Sequence, residues 1–110
     1  MITVIETTQF INKAKQIMTQ SEKDEAIDTI ARNPEAGELI PKTGGVRKLR
    51  IAKDGKGKSG SFRLIYYFYD KKNPLFLFMV YGKNEKTNIT DTEKRAYYKG
   101  IQILKKEMKP

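Results

Sequence analysis

Four cations stand where a small sheet would gather them. Lys48 and Arg50 are two residues apart in the alternating run Val46 to Ala52, so in a strand both point the same way. Arg63 lies between Phe62 and Leu64 in an aromatic run, on the opposite face from both. A long cation inside such a strand either snorkels out of the sheet or lines a cleft. Lys83 follows Tyr81 and Gly82 near the end of the next strand. Together they describe a patch for a polyanion, with arginine supplying bidentate contacts to phosphate oxygens.

The rest of the composition narrows the chemistry. The 110 residues contain 22 Lys and Arg against 13 Asp and Glu, a net charge of +9. Such an excess favours a phosphate-bearing partner, because each phosphate neutralised releases counterions. There is no cysteine and no histidine, which removes disulfides, thiol catalysis, thiolate zinc sites, Ser-His-Asp triads and imidazole acid–base pairs. The carboxylates show no calcium-loop spacing, so no metal or other cofactor is expected. The segment Gly55-Lys56-Gly57-Lys58-Ser59-Gly60 matches G-x-G-x-x-G in letters. However, a β-branched and aromatic run follows it, where a dinucleotide site needs a helix N-terminus. Ala52 also stands where the first glycine of a phosphate loop belongs. Two readings of the loop remain, a solvated hairpin connector or a basic finger laid along a nucleic-acid backbone. Most of the aromatic residues between 62 and 78 read as core, while Tyr67, Tyr69 and Tyr81 are candidates for exposure to bases.

The elements that must position these residues follow from local pattern. Ile2 to Ile5 reads as a short strand. Thr7 or Thr8 caps a helix carrying Phe10, Ala14, Ile17 and Met18, and Ser21 caps a second with Ala26, Ile27, Ile30 and Ala31. A short link makes the pair an antiparallel hairpin. Pro34 to Gly45 is a loop, Ser61 to Tyr69 a strand, Asp70 to Pro74 a turn, and Leu75 to Tyr81 an interior strand apolar on both faces. Thr90 with Glu93 offers a capping box to a final helix with the stripe Tyr97, Ile101, Leu104 and Met108. The expected fold is a single α+β domain over residues 1–110, with two N-terminal helices, a small twisted antiparallel sheet and a C-terminal helix. The longest apolar run, Leu75 to Tyr81, is too short to cross a bilayer, and no signal peptide opens the sequence. No membrane association and a cytoplasmic location are expected.

The segments Gly44-Gly45-Val46-Arg47-Lys48-Leu49-Arg50, Gly55 to Gly60, Arg63-Leu64-Ile65-Tyr66-Tyr67-Phe68 and Tyr81-Gly82-Lys83-Asn84-Glu85 strongly resemble HigB-type toxins of the RelE/ParE superfamily. The resemblance extends over roughly the whole chain. It implies a toxin of a type II toxin–antitoxin system, a ribosome-dependent endoribonuclease that cleaves translated messenger RNA. The implied partners are a HigA-type helix-turn-helix antitoxin, the ribosome and messenger RNA. Lys48 and Arg50 match the family's paired strand cations, Arg63 its next-strand arginine, and Lys83 a lysine after the following strand. These four are the catalytic candidates, and Arg47, Lys53, Lys56, Lys58, Tyr67 and Glu85 are candidate RNA contacts. Asn84 and Thr90 stand where RelE carries a catalytic arginine and tyrosine, which leaves the general acid and base open among Lys48, Lys83 and Glu85. A lysine crowded by cations gives up its proton more readily, which favours Lys48 for proton transfer. Two other classes compete, a ParE-like inhibitor of DNA gyrase and a non-catalytic nucleic-acid-binding module.

Overall fold

Thr7 ties the first helix to the sheet. Its hydroxyl accepts from the Phe10 N–H, capping α1 (Thr8–Ile17), and donates to the Leu77 carbonyl at 3.0 Å. The computed structural model describes residues 2–53, 57–85 and 88–110, with backbone alone at 53 and 57–60. Helix α2 (Gln20–Arg32) is capped by Thr19 rather than Ser21. The reason is local: Glu22 sits three residues beyond Thr19 and its carboxylate accepts from the Thr19 N–H, completing a capping box. The two helices follow one another with only Met18 and Thr19 between them and share one core. Their buried residues Phe10, Ala14, Ala26 and Ile30 pack on Phe62, Leu64, Tyr66, Leu75 and Leu77.

Five strands follow the order β1-β5-β4-β3-β2. They are β1 (Val4–Glu6), β2 (Glu38–Leu39), β3 (Val46–Lys53), β4 (Gly57–Tyr67) and β5 (Leu75–Gly82). The β2–β3, β3–β4 and β4–β5 pairs are antiparallel, but β1 runs parallel to β5. The sheet is therefore mixed, a correction to the all-antiparallel expectation. β1 docks alongside the last strand, a pairing of residues about seventy apart with no local signal.

The loop before β3 is ordered from within. Tyr66, fully buried, accepts from the Gly37 N–H and donates to the Pro34 carbonyl, both at 2.9 Å. A Cβ at Gly37 would lie 2.7 Å from that hydroxyl, so only glycine fits. This contact presents β2, missed in sequence, along the edge of β3. On the other face of the sheet, α3 (Asp91–Glu107) starts at the Thr90–Glu93 capping box. It lays Tyr97, Ile101, Leu104 and Met108 over Val46, Ile65, Tyr67 and Tyr81. The sheet is thus helix-covered on both faces, except where the cations stand.

Candidate active site

Strand register decides which cations share a surface. Arg50 lies directly opposite Arg63 in the β3–β4 pair, and Arg63 lies opposite Tyr81 in the β4–β5 pair. Lys48 is two residues from Arg50 and therefore on the same face. Opposed like charges on a sheet cost roughly 0.2–1 kcal/mol, so this placement is locally unfavourable. A bound polyanion would reverse its sign.

Lys48, Arg50 and Arg63 line one cavity of about 360 Å³, walled by Ala36, Glu38 and Leu49. The guanidinium Nη1 of Arg63 is buried and has no hydrogen-bond partner among the described residues. The Ser61 hydroxyl, two residues earlier on the same face, is in the same condition. Leaving a buried donor unmade costs about 1–3 kcal/mol, more when it is charged. Arg63 thus lines the cavity instead of snorkelling clear of the sheet. Lys48 and Glu38 also border a second cavity of about 220 Å³, closed by Pro41, Asn88, Ile89 and Lys94. Glu38 faces Lys48 across the β2–β3 pair. Glu38 was missed in sequence because a two-residue exposed strand leaves no pattern to read, and Asn88 and Lys94 because they are far from it in sequence.

The remaining candidates divide. Lys83 is exposed in the turn after β5, one residue past the Phe62–Gly82 pair, beside the cation row but outside the lining of the main cavity. Arg47 points to the other face of β3, where its Nη1 donates to the carbonyls of Glu35 at 3.1 Å and Gly37 at 2.8 Å. These bonds tie it to the loop before β3, on the face away from Lys48, Arg50 and Arg63. Tyr67 is 2% exposed under α3, so it is not available to stack on a base. Its hydroxyl pKa is raised by burial. Tyr97 is pushed up to about 12 by burial, which makes it a poor proton carrier near neutrality. Glu85 accepts from the Gly82 N–H at 2.9 Å and is paired with Lys13 of α1. The hydrogen bond from Lys13, then that from Gly82, holds its carboxyl below the ordinary value. A carboxylate so stabilised is a weaker base, and it is turned toward the fold. Thr90 is the cap of α3, so its hydroxyl is committed to helix structure. Lys56 lies outside the described residues, as do the side chains of Lys53 and Lys58.

The cation row, its cavity and the β-α-α-β-β-β-β-α order occur together with a match to the sequence model of the RelE toxin family. That family is described as the RelE toxin of the RelE/RelB toxin–antitoxin system, and the match runs over residues 2–109. The chain belongs to the RelE toxin family. Membership assigns it the toxin role in a toxin–antitoxin pair and implies an antitoxin as partner. RelE family toxins are generally endoribonucleases. Among solved structures, the chain is similar to the conserved hypothetical protein HP0894 from Helicobacter pylori. The two are 20% identical, with 77% of this chain and 98% of that chain covered, at a TM-score of 0.37. No described helix of this RelE family member is long and apolar enough to cross a membrane.

Proposed function

We propose that the protein is a HigB-type toxin that cuts translated messenger RNA in the ribosomal A site, in the cytoplasm, without metal or cofactor. One observation carries the reading: Arg63, whose buried Nη1 has no hydrogen-bond partner among the described residues, lines a cavity together with Lys48 and Arg50. A phosphodiester would bring acceptor oxygens and negative charge to the Arg63 side chain.

RNA carries its own nucleophile. The 2′-oxygen attacks the adjacent phosphorus, its proton leaves to a base, the P–O5′ bond breaks, and the 5′-oxygen takes up a proton. Arg63 and Arg50 clamp the phosphate and stabilise the added charge of the phosphorane, where a preorganised donor is worth most. Lys48, bordering both cavities, transfers the proton, and Lys83 approaches from the β5 side. Lys56 and Lys58 contact the RNA backbone. With no imidazole in the chain, geometric alignment must supply much of the rate. A ribosome-held codon supplies it, since proximity and orientation together contribute about 7–11 kcal/mol in favourable cases.

The antitoxin is a HigA-type helix-turn-helix protein, a reading supported by the Gly82-Lys83-Asn84-Glu85 form of the turn. Co-expression with the neighbouring reading frame should yield a copurifying complex and restore growth. The activity is tested by incubating one transcript with the purified chain, with and without programmed ribosomes. Rapid cutting at A-site codons on ribosomes and negligible cutting in solution is expected. Equal rates in the two conditions would remove ribosome dependence, and no cutting in either would remove the nuclease.

A further inference from the structure

The turn that carries Lys83 is held by a residue far away in sequence. Lys13, in the second turn of α1, reaches Glu85 with its ammonium group, and Glu85 in turn accepts the Gly82 N–H. The Glu85 N–H donates back to the Gly82 carbonyl at 3.2 Å, closing the turn around Lys83 and Asn84. The same ammonium lies 5.9 Å from the centre of the Tyr81 ring, within reach of a cation–π attraction. Tyr81 is the β5 residue opposite Arg63. Lys13 and Glu85 are 21% and 34% exposed at the side chain, so the pair is shielded more than a surface ion pair and less than a core one.

We infer that Lys13 is a positioning residue for the reaction: through Glu85 it fixes the turn that sets Lys83 beside the Arg63–Tyr81 row. This role rests on the RNA cleavage proposed above. The physical reason is that, among the described residues, the turn's tie to α1 is the bond from Lys13 to Glu85. Lys83 and Asn84 themselves are exposed. An ammonium on a flexible stem, placed by a turn, loses its alignment with a scissile phosphate when the turn opens. A displacement near 1 Å costs on the order of 100-fold in rate. The depressed carboxyl of Glu85 agrees with this picture, since its charged form is the one Lys13 binds.

Three variants test the role on the full chain in programmed ribosomes: Lys13→Met, Glu85→Gln and the double variant, with Lys13→Arg as the conservative control. Lys13→Met should lower kcat about 10- to 100-fold while KM moves less than about twofold. Lys13→Arg should recover most of the rate, because it restores the charge-assisted bond. Glu85→Gln keeps an oxygen for the Gly82 N–H and should lose kcat similarly. The double variant should be no worse than the worse single, as coupled residues require. Glu85→Gln also stands in if Lys13→Met fails to fold. Wild-type kcat in a folded Lys13→Met or Glu85→Gln chain would overturn the positioning role alone. So would a fall in melting temperature with kcat unchanged, or additive losses in the double variant. Absence of cutting by the wild-type chain would instead overturn the reaction, and this role with it.

Discussion

Truncating Arg63 to alanine should separate activity from stability. Three effects decide the stability change. Removing the side chain relieves the unmade Nη1 donor, worth about 1–3 kcal/mol. It also relieves the opposition to Arg50, worth roughly 0.2–1 kcal/mol. Against these stands the stem: three half-buried methylenes at about 0.8 kcal/mol each when fully buried cost roughly 1–2 kcal/mol. The terms combine to between about −1 and +3 kcal/mol in favour of the variant, so it should be no more than about 1 kcal/mol less stable than wild type. Catalysis should respond differently. Losing a donor aimed at developing transition-state charge costs ~2.7–4 kcal/mol, about 100- to 1,000-fold in kcat. The assay pairs urea unfolding with single-turnover cleavage on programmed ribosomes. A folded variant that cleaves at the wild-type rate would refute the clamp. A loss of more than about 3 kcal/mol of stability, with activity falling only as the folded fraction falls, would show Arg63 to be structural.

Arg47→Ala should do the reverse, losing charge-assisted bonds to Glu35 and Gly37 worth about 1.5–3 kcal/mol each at most. It should leave kcat of the folded protein intact, as read by the same two assays. Gly37→Ala should destabilise strongly, because its new Cβ would meet the Tyr66 hydroxyl at 2.7 Å; thermal unfolding reads this directly. Lys56→Ala with Lys58→Ala should weaken RNA binding in a salt-dependent way, flattening the log–log slope by about 0.7 per lost contact. An unchanged slope would make that segment a plain connector. Acid titration of stability should expose the Glu85 pair. Its folded pKa is depressed, so its contribution is complete above the ordinary value of 4.5 and is lost as pH falls below it. Lys13→Met should therefore show a shallower loss of stability in that window.

Local patterns were legible where neighbours in sequence are neighbours in space. The stripe of Tyr97, Ile101, Leu104 and Met108 packs as its helical spacing requires, under the Thr90–Glu93 capping box. The two-residue spacing of Lys48 and Arg50 put them on one face. The same spacing put Arg47 on the other, a conflict with calling it an RNA contact that the alternation alone exposes. Pairings set by tertiary packing were not legible. Parallel docking of β1 on β5 joins Val4 to Leu75, and β2 is two exposed residues with no periodicity. Tyr67 resembles its exposed neighbour Tyr69 in sequence, and only the docking of α3 buries it. Lys13 carries no signal at all, because its partner Glu85 is 72 residues away. The register that sets Arg63 opposite Arg50 is the one long-range fact that turns scattered cations into a site.

The chemical ends of the cut RNA test the central claim most directly. Attack by the 2′-oxygen on its own phosphate leaves a 2′,3′-cyclic phosphate upstream and a 5′-hydroxyl downstream, with no water consumed in that step. Transcripts cut by the wild-type chain on programmed ribosomes should carry those ends, at A-site codons, and should lose them with Arg63→Ala. Products bearing a 5′-phosphate would contradict the account, because they require an external water as nucleophile in place of the 2′-oxygen.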